Sequence, residues 1–524
     1  MLAVYVTWPQ GLYLYSTVTQ HPDTFFSMWR LSWFAHALQT DPRHLFDGNI
    51  YYPELRTLAY SDATLLQGAL GAPLLWVGAP PTLVYNLLFI LGIAGSGVAM
   101  FALAHHLVGS ARAALVAAAA FTLAPYRPLH FMHLELQWMM WIPLALLALH
   151  RTIEERSWRA AVLTGICLWL QVLSCVYYGI FLSVALAVVG TILLATNMRR
   201  AAGVLPLLVL AAVVAAVLTI PYAQPYVANA KALGERTLDE VYRFSASPLS
   251  YVTWPKTNRW FGWTAVRFQG EELRLAPGIV ATVLALVSLF VQRRKTLWIY
   301  LALCVLTIEL SFGMNGHLYP LVRAVAAPFR NLRAPARFSV IALCALAVLA
   351  AFGVEWLERR LAGHRRSHWL VAAIIAAMII EMAPLPLPLT TVPLAQPPLY
   401  RYIAHSGPAV VADFPMPSPI DVQRFDPYYE FYSRHHWRPL INGYSGYYSN
   451  AHFKVVEAMV GFPDDVSMEQ LRALNVRWVV IHEHLYKPSE FIDLLIRIAP
   501  RRDLRSHGAF GDWQGSAQLF ELSR

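Results

Sequence analysis

The sequence predicts a mainly α-helical, polytopic membrane protein: a bundle of about eleven transmembrane helices with a small extracytoplasmic α/β domain at its C-terminal end. Three observations predict it. Of 524 residues, 57% are hydrophobic and only 14% charged, with a mean hydropathy of +0.45, against roughly 45–50% and about 25% in a soluble chain. Apolar runs near the length that crosses a bilayer recur from the N-terminus to residue 384. Beyond that point the composition changes to short β-rich and helical stretches behind a proline-rich linker.

The spans fall near 1–17, 81–104, 111–124, 136–150, 160–175, 177–196, 203–221, 277–292, 296–312, 338–357 and 368–384. The first is short and begins at Met1, so it is either an incomplete helix or the end of one that starts upstream; no basic segment precedes it, as a cleaved signal requires. Orientation follows from arginine-bearing loops: Arg151, Arg156 and Arg159; Arg199 and Arg200; Arg293, Arg294 and Lys295; Arg359, Arg360, Arg365 and Arg366. With eleven spans these loops share one side, and the positive-inside rule makes it the cytoplasm. The other face receives the long polar loops 18–80, 125–135, 222–276 and 313–337, together with the tail 385–524. Two domains are therefore expected, 1–384 in the membrane and 385–524 outside it. In the tail, β-rich runs at 409–413 and 477–482 alternate with helical stretches near 451–460, 467–474 and 488–498.

Composition also excludes. The formal charge of +10 belongs to cytoplasmic loops and does not call for nucleic acid. Cys167, Cys175, Cys304 and Cys344 lie in apolar runs without CxxC spacing, so neither a disulfide framework nor a zinc site is indicated. A Rossmann glycine pattern, a P-loop and an HExxH are absent.

Chemistry-bearing residues gather in the outer loops. Behind His21-Pro22-Asp23, apolar groups at Phe25, Phe26, Trp29, Trp33 and Phe34 predict a helix over 24–38 lying along the membrane interface. Asp23 at its head either accepts a proton from a hydroxyl nucleophile or simply caps the helix. In the second loop His130, His133 and Gln137 share a helical face. That face suits a divalent ion, a phosphate or a sugar, or a histidine pair bonded to neighbouring loops; a third metal ligand is missing from it. Glu135 needs a partner, with Arg127 nearest in sequence. Arg330, Arg333 and Arg337 run against the positive-inside bias. Spaced as one stripe of forked donors, they suit phosphate oxygens, lipid headgroups, or the acids Asp23, Asp47 and Asp62. Trp254, Trp260 and Trp263 in the third loop are either interfacial anchors or a sugar platform. The stretches Tyr428–Tyr432 and Trp437–Tyr448 read as an ordered loop packing on the membrane domain or as an acceptor groove.

This layout resembles the GT-C superfamily of lipid-linked-sugar glycosyltransferases, to which protein O-mannosyltransferases and the aminoarabinose transferase of lipid A belong. The stretches His21–Trp29, Leu45–Pro53, Tyr126–Gln137, Arg333–Phe338 and Trp437–Tyr447 look like those of a bacterial subgroup of GT-C type. The resemblance implies that Asp23 is the base or acceptor-positioning acid and that Arg330, Arg333 or Arg337 holds the lipid phosphate. The family often carries an acidic pair near the first loop; here a second acid has to come from Asp47, Asp62 or Glu135, with His130 and His133 as further candidates to hold the acceptor or to support the groups that do. No metal ligand set is assigned, and a divalent cation stays open as a cofactor.

The expectation is then a bacterial inner-membrane enzyme moving a sugar from a polyprenyl-phosphate donor to a glycan, lipid or protein acceptor at the outer leaflet, with Asp23 and the arginines facing one crevice. Two rivals accompany it. A lipid-linked glycan transporter or flippase would place ionisable groups near the midplane in pseudo-symmetric halves, and a non-catalytic assembly subunit would depend on the tail but not on Asp23.

Overall fold

A helix that is apolar on every side has to be enclosed, and Ser339–Arg360 is such a helix: its residues from Ser339 to Leu343 and from Ala347 to Glu355 are buried. The protein, known here from a computed structural model, is described over residues 1–196, 198–291, 294–361, 367–417 and 425–523, with only the backbone at 198–201, 291, 367 and 368. Arg293, Arg365 and Arg366 of the predicted cytoplasmic loops, and the side chains of Arg199 and Arg200, lie outside the described residues.

The chain divides into two units. The first comprises Met1–Tyr13, Asn86–Gln224 and Gly234–Pro388, and Ser339–Arg360 is its hub. Ala111–Thr122, Ile279–Val291 and Lys295–Ser311 pack around it. Small residues let them approach: a Cβ on Gly353 would collide with the main chain of Leu284. Among the described residues, four helices are long and apolar enough to cross a membrane: Pro81–Val108, Val176–Thr196, Ala202–Leu233 and Pro335–Arg360. Shorter apolar helices include Trp158–Ser174, Ile279–Phe290 and Trp369–Met382.

The expected first span is corrected. Residues 1–17 hold only the five-residue helix Leu2–Val6 and a 3-10 turn at Gln10–Leu12, and five residues rise about 7.5 Å. Pro9 and Gly11 break the run. The helix predicted over 203–221 also extends to Leu233, which shortens the loop behind it.

The second unit comprises Leu14–Tyr85, Pro225–Leu233 and Leu389–Arg524. Its strands among the described residues are β1 (Thr17–Thr19), β2 (Leu389–Thr391), β3 (Val410–Phe414), β4 (Val476–His482), β5 (Leu504–Gly511) and β6 (Ser516–Leu522). Strands β1 and β2 form an antiparallel pair, and the rest form a sheet of order β3-β4-β6-β5 in which only β3 and β4 run parallel. Strand alternation sorts the side chains. Val410, Ala412, Phe414, Val479 and Ile481 face a core closed by helices Asn450–Met459, Asp465–Ala473 and Pro488–Ile498. Asp413, Trp478 and His482 fall on the other face.

The predicted interfacial helix is Pro22–Thr40, and its apolar residues are packed inside the second unit. Phe25, Phe26, Trp29, Leu31 and Phe34 are all buried, because an apolar helix, Leu65–Trp76, and Asp426–Ser433 pack against it. Gly68, Gly71 and Pro73 inside Leu65–Trp76 lower its helix propensity, which is why loop 18–80 reads as polar and irregular from the sequence. The aromatic stretches 428–432 and 437–448 pack on this first loop: Phe25 meets Tyr428 at 4.4 Å and Phe431 edge-on at 5.5 Å, and His36 stacks on Trp437 at 4.3 Å.

Candidate active site

In the second unit, Asp23 sits in the first turn of Pro22–Thr40. The cap of that helix is His21, extended at φ −156°, whose Nδ1 accepts from the Asp23 N–H at 3.1 Å. The capping reading of Asp23 is thereby corrected, and its carboxylate is turned to other partners. Tyr444 donates its hydroxyl to Asp23 Oδ1 in a short hydrogen bond, and Oδ2 lies 3.6 Å from His21 Nδ1. The Asp23 side chain is 12% exposed.

Tyr444 is held in turn. Its N–H donates to Glu430 Oε1 at 2.5 Å, and its ring meets Phe26 edge-on at 5.5 Å. Gly443 permits the close approach, since a Cβ there would stand 2.5 Å from the Tyr51 ring. Burial pushes the Glu430 carboxyl well above the usual range and that of Asp426 up to about 7.

Asp47 and Asp62 serve the first loop. Asp47 Oδ1 accepts the Arg56 N–H at 2.7 Å, and the Asp62 carbonyl accepts Arg30 Nη1 at 2.5 Å. Both bonds tie segments of the first loop together.

In the first unit, the segment after Thr122 does not form the helix that would set His130, His133 and Gln137 on one face. It is a four-residue helix, Tyr126–Leu129, then a turn, then a 3-10 turn at Glu135–Gln137. Gln137 ties it together by donating to the carbonyls of His130 at 2.9 Å and Arg127 at 3.3 Å. Arg127 donates to the carbonyls of Phe121 and Gln137 rather than pairing with Glu135. Glu135 lies 3.7 Å from His133 Nδ1.

The three outer arginines do not form a stripe either, because the helix breaks at Asn331 and Pro335. Each faces an acid of the third outer loop. Arg337, nearly buried, grips Glu272 through Nε at 3.1 Å to both oxygens and through a shorter bond from Nη2. Arg330 pairs with Glu235 at 3.4 Å and donates to the carbonyls of Arg323 and Ala324. Arg333 reaches Glu240 only at 4.0 Å and rests on the Phe244 ring at 5.2 Å, with 33% of its side chain exposed. Among the described residues, Arg333 is thus the loosest-held of the three.

Glu272 is the residue that sequence reading missed. It brings His130, His133 and a carboxylate together, with one ligand atom of each within 4.8 Å of the others. Burial would raise the Glu272 carboxyl, but Arg337 and the two histidines hold it well below the usual carboxylate range. Burial lowers His130 to about 4 despite the nearby Glu272, so its imidazole is neutral at pH 7. His130 Nε2 is buried, makes no hydrogen bond and stands 3.7 Å from Glu272. This trio suits a divalent cation by donor type, in competition with the Arg337 guanidinium that already grips Glu272. Nothing in the sequence signals the third member, which lies more than a hundred residues away in a 3-10 turn. Of the tryptophans, Trp254 is buried against Phe261, whereas Trp260 and Trp263 are exposed.

The sequence matches no family model and no curated protein. Solved structures to which the chain is similar include the archaeal oligosaccharyltransferase AglB from Archaeoglobus fulgidus in complex with an inhibitory peptide and a dolichol-phosphate, at 14% identity and a TM-score of 0.48, covering 92% of this chain and 68% of that one. They also include ArnT from Cupriavidus metallidurans bound to undecaprenyl phosphate, at 14% identity and a TM-score of 0.47, covering 99% of this chain and 96% of that one.

Proposed function

We propose that this protein is a membrane glycosyltransferase that moves a sugar from a polyprenyl-phosphate-linked donor to a hydroxyl acceptor. The observation that carries the reading is the setting of Asp23. Released from capping by His21, its carboxylate already accepts a hydrogen bond from a hydroxyl, that of Tyr444. An acceptor hydroxyl presented to the same carboxylate makes the same bond and gives up its proton there as the glycosidic bond forms. The donor phosphate departs as an anion and needs guanidinium forks. Arg333 supports that role, because its one ion pair among the described residues is long, whereas Arg337 is committed to Glu272 and Arg330 to Glu235. The acceptor is a glycan, lipid or protein, and the location is a bacterial inner membrane with the tail outside the cytoplasm.

The test is transfer from radiolabelled prenyl-linked sugars in membrane vesicles. Asp23→Asn should lose about two to four orders of magnitude in rate with the protein still inserted and folded; wild-type transfer by that variant would remove the acid from the reaction. Arg333→Ala should raise the KM for the lipid-linked donor.

A further inference from the structure

Away from Asp23, the second unit carries a cleft of about 540 Å³ between helix Pro398–His405 and strands β4 and β5, within the size range of small-molecule sites. Tyr402, Trp478, His507 and Phe510 form its walls, and Arg401 and Arg477 bring two guanidiniums to it. The walls are fixed before any ligand arrives. The Tyr402 hydroxyl and His507 Nδ1 lie 2.9 Å apart, His507 Nε2 pairs with Glu521 at 3.1 Å, and Arg477 donates to Glu521 at 2.9 Å. Trp478 Nε1 donates to Ser406 at 2.8 Å.

Charge and shape select the ligand. Glu521 neutralises Arg477, but Arg401 is exposed and, among the described residues, has no carboxylate within 4 Å, which leaves one guanidinium to be met by an anion. The aromatic rings do not form a parallel slot for a flat base: Tyr402 stands 76° to Trp478 and 46° to Phe510. They leave one face, on Tyr402, which is 37% exposed, for the C–H side of a puckered ring. His405, its Nδ1 bonded to the Arg401 carbonyl, also lines the cleft. We propose that this cleft is a binding site for an anionic saccharide, its sugar ring on Tyr402 and its carboxylate or phosphate on Arg401. The assignment stands apart from the transfer reaction and does not depend on Asp23.

Isothermal titration of the full chain in nanodiscs tests it. The probes are trigalacturonate, glucose 1-phosphate, maltotriose, inorganic phosphate and AMP. Binding of trigalacturonate or glucose 1-phosphate at least tenfold tighter than the other three, weakened at least tenfold by both Arg401→Ala and Tyr402→Ala, supports the site, and the tighter of the two tells which anion it takes. The inference is overturned if neither anionic saccharide binds, if maltotriose, phosphate alone or AMP binds as well as they do, or if either variant binds like the wild type. Arg401 is exposed, so its variant reports on binding even if Tyr402→Ala unfolds.

Discussion

Arg337 and Glu272 show how an arginine read as a phosphate ligand can instead meet a distant acid. An arginine on the outer side of a membrane protein needs a counter-charge, and from the sequence a substrate phosphate and a distant acid are equivalent partners. The structure supplies the acid, with the Arg337 and Glu272 side chains 7% and 13% exposed. Removing one member of such a pair strands the other as a buried charge, so Arg337→Ala should destabilise the fold by about 3–5 kcal/mol. The drop should appear as a lower midpoint in thermal unfolding of the detergent-solubilised protein. If the two act independently, Glu272→Gln should cost as much in the Arg337→Ala background as it does alone; coupling within the pair requires that it cost less there. At Asp23 the contrast is instructive, since Tyr444→Phe removes one hydrogen bond and leaves the acid in place. That variant should keep transfer activity that Asp23→Asn loses, measured in the same vesicle assay.

Strand β4 ends on His482, a buried titrating group. Its imidazole is wholly buried, with Nε2 2.9 Å from Asp413 Oδ1 and Nδ1 2.6 Å from Asp512 Oδ2. Burial alone would lower its pKa, but Asp512 and Asp413 overcome it and raise it to about 9. His484, 3.6 Å from the same Asp512 oxygen, is the other titrating neighbour. A raised folded-state value stabilises fully below the unfolded value of 6.5 and is lost as pH climbs through 9. The unfolding midpoint should therefore fall between about pH 6.5 and pH 9, and His482→Gln should flatten that slope; an unchanged slope in the variant would place the titration elsewhere. None of these three residues stands out in the sequence, because alternation along a strand predicts which face a residue takes but not which acids meet it there. Two strands and three helices of the tail are legible: the runs 409–413 and 477–482 correspond to β3 and β4, and the stretches near 451–460, 467–474 and 488–498 to helices Asn450–Met459, Asp465–Ala473 and Pro488–Ile498, whereas β5 and β6, which carry more polar residues and glycine, go unread. Asp23 was legible as a candidate because a lone acid heading an apolar helix is conspicuous. Glu272, Tyr444 and the environment of Arg337 were not, since pairing between segments far apart in sequence leaves no local periodicity to read.

At the scale of the molecule, the tail shares its packing with the first loop. Residues 14–85 and 389–524 belong to one unit, joined by strand pairing of β1 with β2 and by a second seam. In that seam the N–H groups of Tyr51 and Tyr52 donate to the carbonyls of Asn442 and Leu440, and the Leu440 N–H donates to the carbonyl of Asn49. Asn49 adds side-chain bonds to Ser433 and to the Arg438 carbonyl. Helix Pro22–Thr40 owes part of its burial to Asp426–Ser433, so deleting the tail would leave large apolar side chains such as Phe25 uncovered, at about 1.5–3 kcal/mol for each large side chain fully exposed. Truncation after Pro388 should therefore unfold the first outer loop as well as removing the tail. Limited proteolysis of the truncated protein in membranes should cut within residues 18–64, where the full chain resists, and the fragment 389–524 expressed alone should show fast amide exchange through Leu440–Asn442. Adding residues 14–85 to that fragment in trans should slow the exchange, because the missing strand partners and the aromatic face then return together; protection of the isolated fragment at the full-chain level would mean that the seam contributes nothing to its folding.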